Sequence, residues 1–161
     1  MKYIYFNFAG ILQYYAKPNG MVCTPREVRY PTSLCPTKNA VVGMVGAVLG
    51  IDRADTEGLD YLRRSLTIKY RTTREGRVYT DFQRARQYTP SVKLVEYLSG
   101  YHFDVYIGGD EELLRRIYDA FLCPVYIPYF GKKCCTTNED MIPETFELLS
   151  EEEIGDVHDC P

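Results

Sequence analysis

Residues 35–51 read CPTKNAVVGMVGAVLGI, and how this stretch is read decides the fold. Pro36 and Thr37 open it, Thr37 has the chemistry of an N-cap, and the apolar run behind them is long enough to be a helix that ends near Gly50. At 100° per residue, Gly43, Gly46 and Gly50 fall on one smooth stripe, while Val41, Val42, Met44, Val45, Val48 and Leu49 cover the rest of the surface. Helical glycines cost on the order of 1 kcal/mol each relative to alanine. The stripe therefore predicts close approach by another backbone. The apolar run is well short of the roughly 18 residues a membrane span needs, so it reads as a buried helix.

Working outward, residues 2–8 alternate: Tyr3, Tyr5 and Asn7 share one face and Ile4, Phe6 and Phe8 the other, a strand closed by Gly10. Residues 11–35 hold Pro18, Gly20, Pro25 and Pro31 without a sustained period and read as a long loop with a short hairpin, the kind of loop that carries function. Downstream, residues 57–65 form a short amphipathic helix with Leu59 and Leu62 inward and Arg63 and Arg64 outward. Residues 66–72 read as a strand, Arg74, Glu75 and Gly76 as a turn, and residues 78–82 as the return strand of a basic hairpin. Strands at 92–98 and 101–107 flank Gly100, and residues 110–121 form a helix whose first turn holds Asp110, Glu111 and Glu112, matching the helix dipole. Pro124 stops that helix, and a last strand is expected at 125–130. The order predicts an α+β chain: a ferredoxin-like (RNA-recognition-type) antiparallel sheet with two main helices and an inserted basic β-hairpin. Residues 1–138 are read as this domain and residues 139–161 as a flexible acidic tail with one short helix at 144–149.

The 161 residues carry a formal net charge of −3, which would oppose nucleic-acid binding if it were evenly spread. It is not. All 19 Lys and Arg lie at or before Lys133, whereas residues 139–161 hold nine acids and no base. Residues 1–138 thus set 19 bases against 13 acids, a body of +6. Its basic density peaks over residues 61–93, where nine bases meet only Glu75 and Asp81. The first nine residues lack the apolar block of a secretory signal, so a cytoplasmic protein with no membrane partner is expected. Six irregularly spaced cysteines suit reduced thiols, and without a CxxC pair neither a metal site nor a cofactor is expected.

Three constellations suit nucleic acid. The helix start at Thr37, Lys38 and Asn39 offers N–H groups, a positive dipole end and a cation, a seat for phosphate. Gly131, Lys132 and Lys133 follow the expected last strand, where a glycine lets a nucleotide backbone approach two cations. The hairpin interleaves Lys69, Arg71, Arg74, Arg77, Arg84 and Arg86 with Tyr70, Tyr79, Phe82 and Tyr88, the mixture that grips phosphates and stacks on bases. Each has a plainer reading, as a capped helix, a solvated turn or a soluble hairpin. Catalytic groups are sparse: His102 falls on a strand, His158 and Cys160 are too few for a metal, and Cys134 and Cys135 beside Lys133 have no histidine partner.

Taken together, residues 9–13 (AGILQ), 30–32 (YPT), 35–51 and 126–133 (YIPYFGKK) resemble the CasD family, which supplies the CRISPR-associated Cascade subunit holding the 5′ handle of the guide RNA. The likeness covers roughly residues 3–135 in order. It implies a type I Cascade subunit, type I-E-like and of short form, that binds the crRNA handle without cutting it and meets target DNA and the backbone and large subunits in the assembled complex. It implies handle contacts at Arg29, Lys38, Lys132 and Lys133, with Gln13 in the first-strand loop beside them, and a hairpin thumb that falls at about residues 69–96. The alternative is a metal-independent endoribonuclease that processes precursor crRNA, which would need a base for a 2′-hydroxyl and a cation for the phosphorane. A third reading is an assembly module without RNA contact.

Overall fold

The computed structural model describes residues 1–86 and 90–161, with side chains outside 85–91; Tyr88 of the hairpin reading lies outside the described residues. The amino-terminal half runs β1 (Lys2–Phe8), β2 (Leu12–Gln13), β3 (Val22–Cys23), β4 (Glu27–Tyr30), α1 (Lys38–Val48) and α2 (Thr56–Ser65). Next come β5 (Thr67–Arg74), β6 (Arg77–Arg86), β7 (Pro90–Ser99), β8 (His102–Gly109) and α3 (Glu111–Leu122). A 3₁₀ turn at Glu139–Met141, α4 (Glu151–Ile154) and β9 (His158–Asp159) complete the chain.

The alternation read in residues 2–8 is realised. Ile4, Phe6 and Phe8 are buried with Phe103, Val105 and Ile107 of β8, against Val41, Val45 and Val48 of α1 and Leu114, Ile117 and Phe121 of α3. This first sheet has the order β1-β8-β5-β9 and is antiparallel throughout. The second sheet is built on β7, which pairs with β6 on one side and with β2 and β4 on the other; β3 extends it beyond β4. The architecture is mixed α+β.

Four expectations are corrected. The hairpin does not turn at residues 74–76. β5 pairs with β8 in the first sheet, β6 with β7 in the second, and one register runs from Arg74↔His102 and Arg77↔Ser99 to Arg86↔Pro90. Residues 67–86 are therefore one arm of a long bent ribbon and 90–108 are the other. A register shift between Thr72 and Arg74 marks the bend, and at Gly76 a Cβ would stand 2.0 Å from the Ser99 carbonyl oxygen, so only glycine lets the arms stay this close.

Residues 125–130 are not a strand. The Val125 and Tyr126 N–H groups instead donate to the Val48 and Ala47 carbonyls, satisfying the C-terminal end of α1. The glycine stripe meets side chains: Gly46 abuts Leu59 of α2, Gly50 abuts Val125, and Gly43 is exposed with open space where a Cβ would stand.

The acidic end is not a free tail. Met141 is buried, the Tyr118 hydroxyl donates to the Pro143 carbonyl, and Leu149 exchanges both backbone hydrogen bonds with Tyr3. Ser150 and Glu153 form a capping box on α4, where the expected helix at 144–149 is absent, and Ile154 is buried against Tyr3 and Tyr106. β9 then adds to the edge of β5, with Cys160 buried behind it. Apolar anchors spaced along the segment hold it down, while all nine of its acids stay exposed.

Candidate nucleic-acid interface

The loop after residue 129 is locked by its own backbone. Phe130 packs on Phe8 with ring centroids 4.9 Å apart, its N–H donates to Cys135, and its carbonyl accepts from Tyr14. Gly131 follows with φ +83°, and a Cβ there would lie 1.8 Å from the Tyr14 carbonyl oxygen, so no other residue can make this turn in place. The consequence is the position of Lys132. Its ammonium sits 4.5 Å from the Tyr14 ring centroid and 5.3 Å from that of Tyr30. Lys93 approaches the same Tyr30 ring at 4.9 Å from the neighbouring strand, because β4 and β7 run parallel with Val28 beside Lys93.

Two cations and two aromatic rings thus converge from three parts of the chain. Burial, and then the nearby Lys93 charge, push the Lys132 ammonium below the ordinary lysine range. Among the described residues neither lysine has a carboxylate partner. Glu96, the acid nearest by sequence to Lys93, is turned to the Thr32 N–H at 3.2 Å. A pair of like charges held together without a counter-ion is a site for an anion, and rings beneath it offer faces on which a base can stack.

The structure separates the residues singled out from the sequence. Lys132 is at this site, Lys133 is exposed beside it, and Arg29 lies next to Tyr30 on β4, exposed and ion-paired with Glu27. Gln13 is removed from the candidates. It is fully buried, donates to Tyr101 at 2.8 Å and accepts from the Tyr15 hydroxyl at 2.7 Å, so its role is to tie the second sheet to the ribbon. At the helix start three polar groups have partners within the chain. Thr37 is buried and caps Ala40, the Asn39 side-chain oxygen Oδ1 accepts from Arg63 at 3.0 Å, and the Lys38 N–H donates to the Pro161 carbonyl at 2.8 Å. The Pro161 carbonyl thus takes one N–H group of the seat expected for a phosphate.

Arg71 lies on β5, paired with Asp104, away from the β6–β7 hairpin. Arg74, at the end of β5, and Arg77 and Arg84 on β6 are exposed, with Tyr79 and Phe82 exposed between them. The backbone of Arg86 ends β6, and its side chain lies outside the described ones. Sequence reasoning missed Tyr14, Tyr30 and Lys93 as site residues. Lys93 is visible only as one of nine bases, because its partners reach it through the non-local β4–β7 pairing.

The fold matches a chain of a CRISPR RNA-guided surveillance complex with a TM-score of 0.70 at 21% identity, over 88% of this chain and 62% of that one. It also matches the crystal structure of a Cas protein with a TM-score of 0.68 at 23% identity, over 94% of this chain and 69% of that one. The chain therefore spans less than two thirds of the surveillance-complex chain. It belongs to the CRISPR-associated protein (Cas_Cas5) family, whose model matches residues 24–153. A relative is the CRISPR system Cascade subunit CasD of Escherichia coli (strain K12), 24% identical over 95% of this chain and 78% of its own length.

Proposed function

We propose that this protein is a non-catalytic subunit of a type I Cascade surveillance complex that caps the 5′ handle of the crRNA. The observation that carries the reading is the Lys93–Lys132 pair, set on Tyr14 and Tyr30 and forming no ion pair among the described residues. Handle phosphates bind these cations together with Lys133 and Arg29, and bases stack on the tyrosines. The core is ferredoxin-like in its central order: β5, β8 and β1 adjoin, with α1 between β1 and β5 in sequence and α3 after β8. The β6–β7 hairpin serves as the thumb, with Arg77, Arg84, Tyr79 and Phe82 against the guide.

Residues 1–138 form the RNA-binding body, which works in the cytoplasm with the backbone and large subunits and target DNA. Gly43 supports the reading, since a helical glycine that faces open space and packs on nothing among the described residues suits an external backbone. At the Lys93–Lys132 site burial holds the Tyr14 phenol above its ordinary range, which makes that phenol a poor base for a 2′-hydroxyl and processing of precursor RNA the weaker reading.

Purifying the native complex and sequencing its RNA tests the role. RNA of one length sharing a constant 5′ segment, protected from nuclease by the chain and exposed when Lys93 and Lys132 are both replaced by alanine, is the expected result. A complex that carries no RNA, or whose 5′ segment is equally protected without the two lysines, overturns it.

A further inference from the structure

The outer edge of β1 is left open in its middle. β1 is the end strand of the first sheet, and Tyr3 turns its N–H and carbonyl away from β8 to exchange both backbone hydrogen bonds with Leu149, at 2.9 Å each. Ala9 points the same way, its N–H donating to the Asn138 side-chain oxygen at 3.0 Å. Backbone direction alternates along a strand, so the N–H and carbonyl groups of Tyr5 and Asn7 also face outward. Among the described residues no group bonds them.

Continuing the antiparallel register from Leu149 would set Glu147 against Tyr5. The pairing stops at one bridge instead, because residues 143–146 are held on α3. The Tyr118 hydroxyl donates to the Pro143 carbonyl at 2.9 Å, and Phe146 packs on the Tyr118 ring at 5.4 Å and against the Arg115 guanidinium at 4.0 Å. The two segments therefore part around a cavity of about 300 Å³, with Tyr5 on one side and Pro143, Thr145 and Glu147 on the other. Open backbone groups on a half-buried strand edge are a template for another strand.

Charge selects the kind of strand. Asp104 and Glu147 face the cavity against Arg71 alone, and Asp104 is spent on Arg71 at 2.6 Å and on the Tyr5 hydroxyl at 3.0 Å. That leaves the Glu147 carboxylate, which accepts from the Thr145 hydroxyl at 3.1 Å, in a segment of nine acids and no base. A lysine or arginine side chain complements this rim, and a phosphate or an acidic segment is repelled by it. Opposed side chains of an antiparallel pair share a face, so a residue paired with Tyr5 sets its side chain beside the Tyr5 ring.

We propose that the β1 edge at Tyr5 is a docking slot for an extended segment of another protein, one residue of which exchanges both backbone hydrogen bonds with Tyr5, as Leu149 does with Tyr3, and carries a Lys or Arg side chain to Glu147. The backbone bonds hold the segment and the carboxylate chooses the side chain, which is recognition by strand addition. The slot is separate from the two lysines and does not depend on the RNA reading. The peptide acetyl-Thr-Val-Lys-Val-Thr-amide is titrated into the full chain by NMR, with amide hydrogen exchange read residue by residue. It is expected to bind with a Kd of about 1 mM or tighter and to slow exchange of the Tyr5 amide about tenfold or more. Replacing its lysine by glutamate, or N-methylating that lysine so that the Tyr5 carbonyl loses its donor, should each weaken binding about tenfold, and Glu147→Gln should weaken the lysine peptide about fivefold. No binding up to about 10 mM, an unmoved Tyr5 amide, equal binding of the three peptides, or an indifferent Glu147→Gln overturns the slot. Single-stranded RNA that protects the Tyr5 amide and displaces the peptide also overturns it, assigning the edge to nucleic acid.

Discussion

Two sets of cations rest on tyrosine rings in this protein, and a carboxylate distinguishes them. Lys69 lies 5.6 Å from the Tyr3 ring and Arg71 6.0 Å from the Tyr106 ring, and each is also paired with an acid at 2.6 Å, Glu151 and Asp104. Lys93 and Lys132 lie over Tyr30 and Tyr14 at shorter distances with no acid among the described residues. Proton affinity follows the difference. The hydrogen bonds to Glu151 and Asp104 raise Lys69 and Arg71, whereas burial and mutual repulsion lower Lys132. A ring under a cation therefore does not by itself mark a binding site. The first pair is neutralised within the fold, and the second has no ion-pair partner among the described residues.

The largest effect that sharpens this contrast is expected at the second pair. Replacing Lys93 and Lys132 together by alanine should weaken single-stranded RNA by about one to two orders of magnitude at low salt and make the salt slope shallower by about 1.4. Replacing Lys69 by alanine should leave the slope alone; equal losses from both changes in filter binding would break the comparison. Next comes Gly131→Ala, which forces a Cβ onto Tyr14 at a left-handed φ and should cost on the order of 1–3 kcal/mol in urea unfolding, with RNA binding lost as Lys132 moves. A stable Gly131→Ala variant with intact RNA affinity would detach Lys132 from the loop geometry.

The smallest effect belongs to the neutralised pair. Tyr5 keeps its proton to about 12 in the fold against 10.0 ordinarily, so the unfolded chain releases that proton first and stability falls as pH rises from 10 to 12. Tyr5→Phe should flatten that part of the curve relative to the parent protein. An unchanged curve would show that burial and Asp104 do not hold the Tyr5 proton in the fold.

Local signals in the sequence described the core well and the site poorly. Period-two alternation in residues 2–8, the Thr37 cap and the Asp110 start of α3 each depend on neighbours a few positions away, and all three stand in the structure. The Arg74-Glu75-Gly76 turn signal is also real, yet Gly76 moves the chain between sheets, because β5 and β6 find their partners about 30 residues on and just beyond residue 90. The Pro- and Gly-rich stretch at 11–35 hides Tyr14 and Tyr30 for the same reason: their setting is made by β4 lying parallel to β7 and by the 130–135 loop. In the carboxy-terminal stretch the nine acids mask a sparse apolar set, Met141, Ile154 and Cys160, that holds it in place. Total charge described the composition of that segment and missed its packing.

The most direct test of the account is the dependence of RNA affinity on salt. With about five phosphates neutralised, the logarithm of the binding constant for handle-length single-stranded RNA should fall against the logarithm of salt concentration with a slope near −3.5, and near −2 when Lys93 and Lys132 are both alanine. A slope near zero in the parent protein, or the same slope in both proteins, would contradict the claim that this unpaired lysine pair is where the chain holds RNA.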